Sequence, residues 1–136
     1  VGALTDNMYR YKIEAATQIT DSLFVNGPTG IGTTTPVSTF QVNGSVGYSY
    51  VTKTSTYTAT ASDYTIDCTS GTFTVNLPAA SGCTGRVYVI KNSGTGTITI
   101  DGNSSETIDG ATTQIINVQY AVLKIQSTGS GWVIIN

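Results

Sequence analysis

From Tyr50 to Asn136 the chain is a series of short runs in which apolar and polar residues alternate, separated by clusters of Gly, Asn, Asp and Ser. A period of two marks a strand with one buried face. In YTIDCTSG (64–71), Tyr64, Ile66 and Cys68 share one face, and Thr65 and Asp67 share the other. TFTVNLP (72–78) turns Phe73, Val75 and Leu77 inward and stops at Pro78. TSTYTATAS (54–62) sets Tyr57 and Ala59 against threonines, and RVYVIKN (86–92) is apolar enough for a central strand. TITI (97–100), TQIINV (113–118), AVLKIQS (121–127) and WVIIN (132–136) complete the series. The connections, among them SGTG, DGNSSE, DGA and TGSG, carry residues that tolerate turn dihedrals. No long window has a helical period. The pattern predicts an all-β chain, with an antiparallel β-sandwich over 49–136.

Residues 1–48 follow another rule. MYRYKIEA (8–15) alternates Tyr9, Tyr11, Ile13 and Ala15 against Arg10, Lys12 and Glu14, a strand pattern; a short heptad seam of Leu4, Met8, Tyr11 and Ala15 is the alternative. LFVNG (23–27) and FQVNG (40–44) repeat Val-Asn-Gly seventeen positions apart, with GPTGIGTTTP between them. One copy offers only Phe24, Ile31, Phe40 and Val42 as apolar anchors. These cannot offset an ordering cost of ~1–2 kcal/mol per residue. Three copies wound about one axis bring each anchor against its symmetry mates, so the segment predicts an intertwined, homotrimeric β shaft with these four residues at the interface.

Composition narrows the chemistry. The chain has 136 residues, 10% of them charged, and a formal net charge of −2, so its six basic residues predict no nucleic-acid partner. No run is long enough for a membrane-spanning helix, and no membrane insertion is expected. The start at Val1 instead of Met reads as a fragment of a longer protein. Histidine is absent, which removes the usual Ser-His-Asp and Cys-His arrangements and the commonest transition-metal ligand. Cys68 and Cys83 have no zinc spacing; they are either a single disulfide or two small buried hydrophobes.

GIGTTTP followed by FQVNGSVGY resembles shaft repeats near the ends of bacteriophage tail fibres and related trimeric surface fibres. SDYTIDCTSGTFTVNLPAASGCTGRVYVIKNSGTGTITIDGNSSETIDGATT, with a final GWVIIN, resembles a C-terminal head domain of such fibres, SGTGTITI being read as a hairpin. The resemblance covers about residues 23–136. It implies a homotrimeric fibre tip, on a virion tail or a cell surface, with residues 1–48 as shaft and 49–136 as head. The implied role is non-catalytic, cofactor-free adhesion to a surface glycan or envelope protein, or structural capping of the fibre end. Cysteine at 68 and 83 departs from the aliphatic or polar residues the resemblance leads one to expect.

Glycoside cleavage needs two carboxyls facing one sugar, and Asp101, Glu106 and Asp109 or Asp63 and Asp67 are the available sets. Asp before Gly and Asp after Ser are equally ordinary turn residues, so no catalytic residue is assigned. Trp132 reads as buried, in the head or at a trimer interface. Tyr120, beside Gln119 at a turn, either meets a sugar or packs, and Asp101, Asn103, Glu106 and Asn92 are candidate polar partners from loops that read equally as solvated turns. Arg86 is expected to pair with Asp67 across strands, an acidic sugar being the alternative partner. Short Thr-x-Thr arrays (Thr56, Thr58, Thr60; Thr95, Thr97, Thr99) also suit an ice-binding face, but threonine is an ordinary exposed-strand residue and the arrays stop at three.

Overall fold

The computed structural model describes residues 23–136, and the chain is all-β. The strand-like segment 8–15, its heptad alternative and the start of the expected shaft lie outside the described residues. The chain divides into two compact units, one ending at Val46 and the other running Gly47–Asn136.

Among the described residues the first unit contains two strands, β1 (Thr29–Ile31) and β2 (Phe40–Val42), paired in parallel with Thr29 opposite Phe40 and Ile31 opposite Val42. Parallel neighbours so close in sequence need a loop that doubles back, and GTTTPVST supplies it. Gly32 has φ +69, and a Cβ there would lie 2.8 Å from the Asn43 carbonyl oxygen, so the position requires glycine. The Asn43 side chain donates from Nδ2 to the Gly32 carbonyl at 3.2 Å, and the Gln41 amide oxygen accepts from the Val37 N–H at 2.7 Å. Leu23–Gly27 forms no strand, so the two Val-Asn-Gly repeats differ in conformation: Val42 is paired, Val25 is not. Phe24, Ile31, Val37 and Phe40 are exposed in the single chain, and Val42 is half-buried.

The second unit has nine strands: β3 (Tyr50–Lys53), β4 (Tyr57–Thr58), β5 (Thr65–Cys68), β6 (Phe73–Asn76), β7 (Val87–Asn92), β8 (Ile98–Asp101), β9 (Thr113–Ile116), β10 (Val122–Ser127) and β11 (Trp132–Ile134). They form a five-stranded sheet in the order β11-β10-β7-β5-β3 and a four-stranded sheet in the order β4-β6-β8-β9. From β3 to β8 each strand lies in the opposite sheet from the one before it. The chain therefore winds as a flattened coil, and strands of successive turns pair in parallel: β3 with β5, β5 with β7, β4 with β6, β6 with β8. Only β7–β10, β10–β11 and β8–β9 are antiparallel.

The pairing corrects the antiparallel expectation. Connections such as 69–72 and 93–97 cross from one sheet to the other instead of folding back within a sheet, so SGTG is an arch and not a hairpin turn. Alternation along a strand is the same in either case. The two arches stack in contact: a Cβ on Gly96 would lie 2.0 Å from the Gly71 carbonyl oxygen, and one on Gly94 3.0 Å from Ser70 Cα.

The sheets share one core. Ile66, Ile90 and Ile125 come from one side and Val75, Ile98 and Ile100 from the other, all fully buried. Each such side chain contributes about 1.5–3 kcal/mol relative to exposure. Tyr88 and Trp132 close the core near the start of β7, their ring centroids 5.6 Å apart. At the first turn of the coil, β3 and β4 are edge strands, and Lys53 Nζ sits 3.7 Å over the Tyr57 ring.

Candidate functional site

β7 and β8 meet at the 93–97 arch, so Asn92 lies at one end of the second unit and Asp101 at the other. The six side chains expected to bind ligand are thereby separated. Asn92, Gln119 and Tyr120 stand at the arch end; Asp101, Asn103 and Glu106 stand at the far end.

Of the far-end group, the Glu106 side chain serves the fold. Both Glu106 carboxylate oxygens accept from the Ala80 N–H at 3.0 Å, which holds the 3₁₀ turn Ala80–Gly82. Asn103 and Glu106 close a tight turn through a 2.9 Å backbone bond, with Ser104 at φ 56. The Asp101 backbone carbonyl accepts from the Leu77 N–H at 2.8 Å. Asp109 takes the Ile134 N–H at 3.3 Å, and no group of three or more His, Cys, Asp or Glu gathers as a metal site among the described residues.

Asn92 is fully buried and corrects the reading that placed it among ligand contacts. Alternation from Tyr88 and Ile90 turns it inward, where Nδ2 donates to the Gly96 carbonyl at 2.8 Å and the Ile116 carbonyl at 3.0 Å. It ties the arch to β9 and is closed to solvent. Arg86 is not beside Asp67. The register sets Asp67 opposite Lys91, five positions along, and Arg86 donates instead to the Tyr88 hydroxyl at 3.5 Å. Trp132 is buried, as expected. Cys68 and Cys83 are both free and buried, and burial, helped by the neighbouring Asp67 charge, pushes the Cys68 thiol up to about 11.

The Tyr120 turn is different. Its φ of 67 is the left-handed region, unusual and costly for a bulky residue. Several bonds hold it there: Lys91 Nζ donates to the Tyr120 carbonyl at 3.2 Å, Gln119 Nε2 to the Ser93 carbonyl at 3.1 Å, and the Asn92 N–H to the Ala121 carbonyl at 3.0 Å. The Tyr120 N–H in turn donates to the Asn92 carbonyl. Tyr120 is 65% exposed, with Lys91 Nζ 5.5 Å from its ring centroid and exposed Val118 and Val122 nearby in sequence.

Beside this turn, the outward row of the five-stranded sheet runs Thr52, Asp67, Lys91, Val122 across β3, β5, β7 and β10. Ile66, Cys68, Ile90 and Asn92 point inward from the same strands, so Asp67 and Lys91 belong to the outer face. Tyr50, 61% exposed, donates from its hydroxyl to Asp67 Oδ2 at 2.6 Å. That hydrogen bond holds the Tyr50 phenol above its ordinary value, with burial and the carboxylate's charge adding to it. Asp67 is only 6% exposed, and its Oδ1 has no hydrogen-bond partner among the described residues. Sequence reading kept Asp67 and Lys91 apart. Each follows a buried isoleucine, Ile66 and Ile90, which puts both on an outer face, but only the coil makes their strands neighbours.

Compared with models of known protein families and with curated proteins, the chain matches none.

Proposed function

We propose that this chain is the receptor-binding end of a homotrimeric fibre of the bacteriophage tail-fibre type, acting by non-catalytic adhesion to a surface glycan or envelope component. The observation that carries the adhesive reading is Tyr120: an exposed ring on a backbone held in a costly conformation by bonds from Lys91, Asn92 and Gln119. A purely structural cap needs only bland Gly and Ser loops at its ends. A fixed, solvent-facing aromatic beside a cation and an amide is what sugar faces and hydroxyls use.

The trimeric reading is supported by the first unit. Its strands are three residues long, and Phe24, Ile31, Val37 and Phe40 stay exposed in one chain. Symmetry mates would cover them, and trimeric avidity would multiply a weak single-head affinity. The capping alternative keeps the same trimer without a ligand. Light scattering on a sizing column is the test of assembly, with a mass three times 14.2 kDa expected. A glycan array probed with the wild type and Tyr120→Ala tests adhesion. Binding that is lost in the variant is the expected outcome; a trimer that binds nothing favours the cap.

A further inference from the structure

We infer that the outward row Thr52–Asp67–Lys91–Val122, flanked by Tyr50 and Tyr120, is a saccharide subsite for a neutral sugar carrying adjacent hydroxyls. This rests on the adhesive reading above and adds a place and a ligand class to it. The deciding feature is Asp67 Oδ1. A carboxylate oxygen buried on the outer face of a sheet, without a hydrogen-bond partner among the described residues, is costly unless something donates to it. Its sister oxygen already accepts from Tyr50, so the carboxylate is held in one orientation. A sugar hydroxyl is the donor of the right size and neutrality.

Lys91 stands next to Asp67 in the ladder. Its ammonium uses one hydrogen on the Tyr120 carbonyl, which leaves donors for the oxygen of a neighbouring sugar hydroxyl. One hydroxyl gives a hydrogen to the carboxylate and the next accepts one from the ammonium; the pair of charges sums to zero, which favours a neutral ligand over an acidic one. Tyr50 and Tyr120 offer rings at either side for the apolar sugar faces. Three interstrand steps of about 4.8 Å give a row about 14 Å wide, enough for a short oligosaccharide. Oδ1 is closed to solvent, so a ligand reaches it only when the groups over it move aside.

The test is a titration of the full chain with maltotriose, chitotriose and trigalacturonate, followed by backbone amide NMR and calorimetry. A neutral probe should shift the amides of Thr52, Asp67, Lys91 and Val122. Asp67→Asn retains an acceptor for Tyr50 but replaces the open oxygen with a donor, and should weaken that binding at least about tenfold. Lys91→Gln should weaken it less, and the far-end variant Asn103→Ala should leave it unchanged. Binding that follows Tyr120 but ignores Asp67→Asn overturns the subsite and leaves the adhesive reading standing. Selective binding of trigalacturonate, strengthened in Asp67→Asn, overturns the neutral-sugar assignment. Binding of no probe here, with a positive glycan array, overturns the subsite alone; failure of both overturns the two together.

Discussion

Asp63 shows how much one side chain can hold. It sits after the Thr60–Ser62 turn, and its Oδ2 accepts from the Thr60 N–H at 2.7 Å, the Thr60 hydroxyl at 2.8 Å and the Tyr57 hydroxyl at 2.8 Å. Burial pushes its pKa up, but these bonds and the Lys53 charge outweigh burial, and the carboxyl lies below its ordinary 3.8. A folded-state pKa below the unfolded one gives stability that is complete above the ordinary value and is lost as pH falls through the folded one. Denaturant titrations from pH 7 down to pH 2 should show that loss beginning near pH 4 to 5, and Asp63→Asn should flatten it. Asp63→Ala should cost about 2–3 kcal/mol at pH 7, since three donors lose a charged acceptor. An unchanged denaturation midpoint in Asp63→Ala would show that the Thr60–Asp63 turn is not a stabilising element. Asn92 teaches the complementary lesson about polar residues: the same alternation that buries Tyr88 and Ile90 also buries Asn92, so its removal from the ligand set was legible in RVYVIKN itself.

At the scale of elements, the strands were legible and their partners were not. Phe73, Val75 and Leu77 are buried as the period of two requires, and so are Ile66 and Cys68. Whether two such strands pair in parallel depends on whether the link between them is a hairpin or an arch, and SGTG serves either. One signal was available. TFTVN (72–76) and TITID (97–101) match in type position by position, and in the structure Phe73 faces Ile98, Thr74 faces Thr99 and Asn76 faces Asp101. A repeat in register at 25 positions is what one turn of a coil leaves in a sequence. The stacked arches depend on glycine at the point of contact. Gly96→Ala places a methyl against the Gly71 carbonyl and should lower stability by about 2–4 kcal/mol, whereas Thr95→Ala, at an exposed neighbour, should change it little. Thermal unfolding of the two variants side by side is the check; equal melting temperatures would mean the arches separate at no cost. The candidate site was illegible for the same reason as the pairing: Asp67 and Lys91, 24 positions apart, become neighbours only through the coil.

For the whole molecule, the proposed assembly makes a definite claim about the first unit. Phe40→Asp or Val42→Asp should turn the expected trimer into monomers on a sizing column with light scattering, because a charge on a shared axis meets its own copies. A mutant that remains trimeric with unchanged melting would remove these residues from the interface. The second unit has a different exposure. Within the second unit β3 and β4 are the edge strands at the start of the coil, and their outer backbone groups have no strand partner among the described residues. Lys53, half-buried with its ammonium over the Tyr57 ring, puts a charge beside these edge strands. Lys53→Val should cost some stability, since it removes the charge near Asp63 and the cation over Tyr57, and it should also remove that guard. Dilute samples would then behave normally, while concentrated ones would scatter light and grow end-to-end polymers that bind thioflavin. One lysine would thus set the solubility ceiling of the protein.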